Sequence, residues 1–159
     1  MEKQPLYAVI RIRGRVSKRY DVKETLKLLR LHRKFHMVLV PATDSYKGML
    51  QKVKDTVTWG EISQEVLLEL LKKRGRVVGN KKLTEEYIKE KLGLKGFSEL
   101  AEKLYNGELS LTSLDGVKPI FRLHPPKGGF NKSTKRPYRD DGELGYRGDA
   151  INSLIMRMI

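Results

Sequence analysis

Three histidines, His32, His36 and His124, are the first residues to weigh for chemistry in this 159-residue chain. His32 and His36 stand four apart, a helical spacing at which two imidazoles can share a metal ion. Both lie in the run His32-Arg33-Lys34-Phe35-His36, whose cations repel a metal, and no third ligand type stands at a useful spacing. Solvent or phosphate contact is therefore the expected role, and no metal site is assigned. Residues 128–134 read Gly-Gly-Phe-Asn-Lys-Ser-Thr and approach a phosphate loop. That motif needs Gly directly before Lys132 and again five residues earlier, where Asn131 and Pro126 stand instead. The acid pairs Glu85/Glu86 and Asp140/Asp141 fall at a helix start and in a turn, where capping and turn formation account for them. With no cysteine, there is neither a thiolate nor a disulfide framework. Nothing in these patterns supports an enzyme, a cofactor or a small-molecule substrate.

The basic residues interleaved with aromatics carry a stronger signal. Arg11, Arg13 and Arg15 project from or just past the first strand, and Lys18 and Arg19 extend the same loop. Arg33 and Lys34 close the first helix, and Lys47, Lys52 and Lys54 lie off the apolar stripe of the second. Between residues 118 and 139 no acid occurs; Lys118, Arg122, His124, Lys127, Lys132, Lys135, Arg136 and Arg139 fall in that stretch. Guanidinium groups bind phosphate through paired hydrogen bonds and stack on bases. Phe130 and Tyr138 stand among these cations with little core to enter, so stacking on RNA or wedging into its groove is expected of them. Tyr46 is either a core or a stacking residue, and its place on an apolar stripe favours core. Trp59, the sole tryptophan, is expected to pack on a sheet face.

The formal charge is +14, from 33 Lys and Arg against 19 Asp and Glu, and it is unevenly spread. Residues 1–60 carry +9, residues 61–115 are neutral, and residues 116–159 carry +5. Such an excess implies a polyanionic partner, usually nucleic acid. No apolar run reaches the ~20 residues of a membrane-spanning helix. Arginines at every second position of residues 11–15 are unlike a secretory signal. Leu and Ile are plentiful enough to exclude a disordered polycation. The lack of cysteine fits a cytoplasmic protein, and sparse Asn and Gln with many charges fit a thermophilic source.

The elements that must position these residues follow from periodicity. Residues 6–13 alternate strictly, Leu6, Ala8, Ile10 and Ile12 on one face and Tyr7, Val9, Arg11 and Arg13 on the other, a half-buried strand. Asp21, with Glu24 three residues on, can cap a helix whose stripe is Leu26 and Leu29, with Leu28 on its flank. Residues 37–40 form a strand stopped by Pro41. Thr43 or Asp44 caps a second helix with Tyr46, Met49, Leu50 and Val53 on one face. Residues 56–59 form a third strand. Two helices on one face of this small sheet would leave the other open. Residues 63–74, 84–92 and 97–106 predict three further helices, an all-helical insertion. Residues 120–123 predict a strand. Residues 124–148 hold three Pro and five Gly and predict an extended basic arm, followed by a helix over 149–158.

Several blocks are also familiar as sequence. They are Tyr7-Ala8-Val9-Ile10-Arg11-Ile12-Arg13-Gly14, Thr25-Leu26-Lys27-Leu28-Leu29-Arg30-Leu31, and Gly48-Met49-Leu50-Gln51-Lys52-Val53-Lys54-Asp55 running on through Val57-Thr58-Trp59-Gly60-Glu61. Phe121-Arg122-Leu123-His124-Pro125-Pro126 and Gly142-Glu143-Leu144-Gly145-Tyr146-Arg147-Gly148 complete the set. Together they resemble the large-subunit ribosomal proteins of the L-thirty family, L-seven in eukaryotes, and the long form with a helical insertion resembles the archaeal type. The resemblance implies an α+β fold: a small antiparallel sheet, order 3-1-2, in a β-α-β-α-β ferredoxin-like core. The expected organisation is a core over 1–60, a helical insertion over 61–109, and a strand, basic arm and closing helix over 110–159. The resemblance also implies binding to 23S rRNA in the large ribosomal subunit, near 5S rRNA and beside other large-subunit proteins. Arg11, Arg13, Lys52, Lys54, Arg122, His124 and Arg147 are the motif residues suited to RNA. The arm is expected to order on rRNA. Replacing Arg11, Arg13 and Arg122 by Ala is expected to weaken binding with the fold unchanged. A stand-alone RNA-binding regulator or chaperone is the alternative reading.

Overall fold

The protein is described by a computed structural model covering residues 5–14, 19–114 and 116–159. Strand β1 (Leu6–Arg11) runs through the middle of the sheet, antiparallel to β2 (His36–Pro41) on one side and to β3 (Val57–Glu61) on the other. Helix α1 (Tyr20–Leu28) connects β1 to β2, and α2 (Asp44–Lys52) connects β2 to β3. The sheet does not stop at three strands. β6 (Phe121–Arg122) pairs outside β2, and β8 (Gly142–Tyr146) and β7 (Ser133–Pro137) extend it beyond β3, giving the order β6-β2-β1-β3-β8-β7. β8 runs parallel to β3, with Thr58 opposite Gly145 and Trp59 opposite Tyr146.

The two faces of β1 explain the layers. Tyr7 and Val9 enter one apolar cluster with Leu26 and Leu29 of the first helical segment and with Leu50, Val53 and Trp59. Ala8, Ile10 and Ile12 enter a second cluster on the opposite face. That face is not open. It is covered by α3 (Gln64–Arg74), α5 (Phe97–Tyr105) and α6 (Ile151–Met158), which contribute Leu67, Leu70, Leu71, Leu100, Leu104, Ile151, Leu154 and Ile155. β1 is therefore buried on both sides, and its alternation separates two cores instead of core from solvent.

Local capping chemistry sets several boundaries. The Tyr46 amide donates to Thr43 Oγ1 at 3.3 Å, the Val66 amide to Ser63 Oγ at 3.3 Å and the Tyr87 amide to Thr84 Oγ1 at 3.2 Å. α1 instead starts one residue before Asp21 without a side-chain cap. Leu28 is 72% exposed, while Leu26 and Leu29 are buried.

Three expectations are corrected. The stretch 61–109 is not all helical: β4 (Arg76–Val77) and β5 (Lys81–Lys82) form an antiparallel hairpin, turned by Gly79 and Asn80 in the left-handed region. The helix expected over 84–92 is one α-turn, α4 (Glu85–Tyr87), running into a π-turn over Ile88–Leu92, with Gly93 left-handed at its end. The arm over 124–148 is substantially built in. The His124 amide donates to Met158 O at 3.1 Å and the Lys127 amide to Arg157 O at 3.0 Å; Arg157 in turn donates to the carbonyls of Lys127 and Gly129. Leu144 and Glu143 of β8 are buried, 2% and 5% exposed.

Candidate nucleic-acid interface

The expected RNA contacts separate into buried and exposed groups. Arg147 is one correction: it is 8% exposed and built into the fold. Its Nη2 meets Glu143 Oε2 at 2.8 Å and its Nε donates to Thr58 Oγ1 at 2.7 Å, while Thr58 Oγ1 donates to Gly145 O at 2.8 Å. The other carboxylate oxygen, Glu143 Oε1, accepts the Lys132 amide at 3.1 Å. A buried charge must be paired and hydrogen-bonded, and this network joins β3, β8 and the start of β7. Gly60 serves the same junction: a Cβ there would lie 1.9 Å from Gly148 O. Two of the blocks that carry the resemblance, 57–61 and 142–148, thus meet in space as packing partners.

Arg11 is the second correction, 4% exposed. Its Nη1 donates to Leu31 O at 2.7 Å and its Nε to Arg13 O at 2.9 Å; the Phe35 amide donates to Arg11 O at 2.7 Å. The charge is spent on the turn between α1 and β2, so Arg11 positions that turn from beneath. Phe130 is the third. It stacks on Phe35 with centroids 6.3 Å apart and packs against the second core cluster. Tyr138 is half-buried, with Lys132 Nζ 5.2 Å from its ring centre and the Arg147 guanidinium 4.9 Å away. The ring of His124 bridges Pro125 O at 2.6 Å and Ile159 O at 2.8 Å, tying the β6 exit to the end of α6.

The exposed group remains available to a polyanion. It comprises Arg33 and Lys34; Lys47, Lys52 and Lys54; Arg122; and Lys127, Lys132, Lys135, Arg136 and Arg139, with Arg13 half-buried. Arg19 is exposed and pairs with Asp21 at 2.7 Å, which raises the arginine and lowers the carboxylate in pKa through the shared hydrogen bond. Arg15 and Lys18 lie outside the described residues.

Between these positions the structure shows a cleft that the sequence did not reveal. About 660 Å³ opens between the α1–β2 turn and the segment leading into β6. Arg30, His32, Arg33 and His36 line one wall, with Arg122 next to His36 across the β2–β6 pairing; Arg76 and Asn80 of the β4–β5 hairpin, with Lys118, line the other, and among the described residues no carboxylate lines it. Backbone bonds hold the second wall together: the Lys118 amide donates to Arg76 O at 2.9 Å and the Val78 amide to Gly116 O at 2.9 Å. A neighbouring hollow of about 350 Å³ shares His32 and adds Lys23 and Lys27. His36 records the electrostatics. Burial first, then the charges of Arg122, His32, Arg33 and Arg11, push its pKa down to about 4. Its Nδ1 is buried without a hydrogen-bond partner among the described residues.

Arg30 occupies an unusual backbone position. The Leu31 amide donates to Leu26 O at 2.9 Å and the Arg30 amide to Lys27 O at 3.0 Å, the paired bonds of a Schellman ending. Arg30 is the left-handed residue of that motif, φ 62°, where glycine is normally preferred. Charge runs found Arg33 and Arg122. The basic run also held Lys118; Arg30, Arg76 and Asn80 were missed because they stand outside any run, the last two in the charge-neutral middle.

The chain is an α+β sheet protein with exposed cations on several elements, the distribution expected of a nucleic-acid-binding scaffold. The description "Ribosomal protein L30p/L7e" matches residues 7–57. "Large ribosomal subunit protein uL30" of Hyperthermus butylicus is 60% identical to the chain, over 97% of the chain and 90% of that protein. The protein of the same description from Staphylothermus marinus is 58% identical, over 97% and 98%, and that from Korarchaeum cryptofilum 50%, over 100% and 98%. The chain belongs to the ribosomal protein L30p/L7e family, whose members are structural proteins and not enzymes. Among the described residues no helix is long and apolar enough to cross a membrane.

Proposed function

We propose that the protein is a structural constituent of the large ribosomal subunit that binds and stabilises folded 23S rRNA, in the region near 5S rRNA and beside other large-subunit proteins. Family membership supports the ribosomal role. The observation that carries RNA binding is the acid-free stretch ending at Arg139: Lys127, Lys132, Lys135, Arg136 and Arg139 remain exposed along the outer strand β7 and its flanks. An edge strand so charged resists pairing with another sheet and is suited to phosphate. Residues 1–60 act as a ferredoxin-like unit, and residues 61–109 are the insertion that, together with α6, covers its second face.

The mechanism is charge neutralisation on a fixed geometry. Lys and Arg displace the counterions of closely packed rRNA, and the two-sided core holds them in place. Binding of the full chain to deproteinised 23S rRNA, measured across a salt series, tests this. With about eight phosphates contacted, log affinity falls with log salt at a slope of roughly −6 to −7. A slope near zero, or equal affinity for any polyanion of the same length, contradicts it and favours a general RNA chaperone.

A further inference from the structure

The hairpin β4–β5 belongs to the charge-neutral middle of the sequence, yet Arg76 and Asn80 help to line a strongly basic cleft. We propose that this cleft is an rRNA-binding site, holding one RNA strand with its phosphates between the α1–β2 turn and the hairpin. The proposal rests on the RNA-binding reading above and adds a partner for a part of the chain that its composition left without one.

Four observations support it. Arg30, Arg33, Arg76, Lys118 and Arg122 converge with no carboxylate among the described lining residues, a setting that attracts an anion. The guanidinium groups from both walls can present paired donors to phosphate oxygens. The volume, about 660 Å³, is that of a site for a small molecule or a nucleotide or two, and so takes part of a single strand instead of the body of a duplex. Arg30 keeps a long cationic side chain at a left-handed position where glycine would relax the backbone, as expected when the side chain is needed and the strain is tolerated. The track continues past His32 to Lys23 and Lys27 on α1, and Tyr20, 78% exposed, stands three residues before Lys23 on the same side of the helix.

The Arg30 position gives a clean test, because Arg30→Gly removes the charge and favours the backbone at once. Binding of the full chain to deproteinised 23S rRNA from Staphylothermus marinus is measured for wild type, Arg30→Gly, Arg76→Gln and Arg136→Gln. Arg30→Gly and Arg76→Gln are each expected to bind about 3- to 10-fold more weakly and to flatten the salt slope by about 0.7–0.9. The melting temperature of Arg30→Gly is expected to equal or exceed that of wild type, and Arg76→Gln provides the same readout should Arg30→Gly fail to fold. If both cleft variants bind like wild type while Arg136→Gln binds more weakly, the cleft is overturned and the RNA-binding reading stands. If wild type does not bind, that reading itself falls. In a second arm, the His36 ring resonance is followed by NMR on adding RNA or inorganic phosphate. A shift caused by RNA supports the site. No shift, or a shift caused by phosphate that RNA does not displace, overturns it and in the latter case assigns the cleft to a small anion.

Discussion

Arg11 and Arg147 show how one residue type serves two purposes in a basic protein. Both guanidinium groups are buried and directed at acceptors within the chain, Leu31 O and Arg13 O for one, Glu143 and Thr58 for the other. Arg11→Ala is expected to lower stability by about 1.5–3 kcal/mol, the range for hydrogen bonds to a charged group. Arg147→Ala strands a buried carboxylate and is expected to lose about 3–5 kcal/mol. Urea denaturation checks both, with Arg122→Ala, whose side chain is exposed, expected to stay within about 0.5 kcal/mol of wild type. The triple alanine replacement of Arg11, Arg13 and Arg122 would therefore disturb the fold as well as binding. His36 adds a pH dependence. Unfolded, it titrates near 6.5; folded, at about 4, so between these values the unfolded chain takes up a proton that the fold refuses. The contribution of His36 to stability is thus complete above pH 6.5, declines as pH falls through that window, and is fully lost near pH 4. Comparing denaturation of wild type and His36→Gln from pH 7.5 to 5 isolates this component; identical pH profiles would refute it. At this scale the sequence told which residues were cationic. It did not tell which ones face inward, because Arg11 and Arg13 continue one alternating pattern and only the position of α1 and the following turn separates their fates.

Among the elements, the join between β3 and β8 is the most demanding. Parallel pairing brings Trp59 opposite Tyr146, and Tyr146 Oη donates to Glu61 Oε1 at 2.6 Å, a bond that pushes the phenol pKa up to about 12. Gly60→Ala would force its new methyl into Gly148 O, so a loss of about 1–3 kcal/mol and a lower melting temperature are expected. An unchanged melting temperature would show that the turn after β8 yields freely. Caps and periodicity made most elements legible: the strands of residues 6–61, the two helices between them, and α3, α5 and α6. β8 was not legible. Its Gly-Glu-Leu-Gly-Tyr sequence has one aliphatic residue and a buried glutamate, and its burial follows from the distant partners Thr58 and Arg147. The β4–β5 hairpin was hidden for a similar reason: its Val77 pairs with Val117, forty residues away. The π-turn at Ile88–Leu92 keeps the apolar spacing of a helix while changing its hydrogen bonding, which no pattern of residue types separates.

For the whole molecule, charge and fold are organised differently. Charge divides the chain into basic, neutral and basic segments. The fold instead wraps the neutral segment over one face of the sheet and returns the C-terminal segment to both of its edges, as β6 beside β2 and β8 beside β3. Cations from separate segments therefore come together, as Arg30, Arg76 and Arg122 do in the cleft. A scaffold closed on both sides with its cations held outward is what a structural protein of the large ribosomal subunit requires. Sedimentation of a cell extract on sucrose gradients at high and low magnesium tests this placement in the large subunit. The protein is expected to travel with the large subunit at both magnesium levels and to stay there through a moderate salt wash. Recovery as free protein at the top of the gradient, or spread across all polynucleotide fractions, would contradict it.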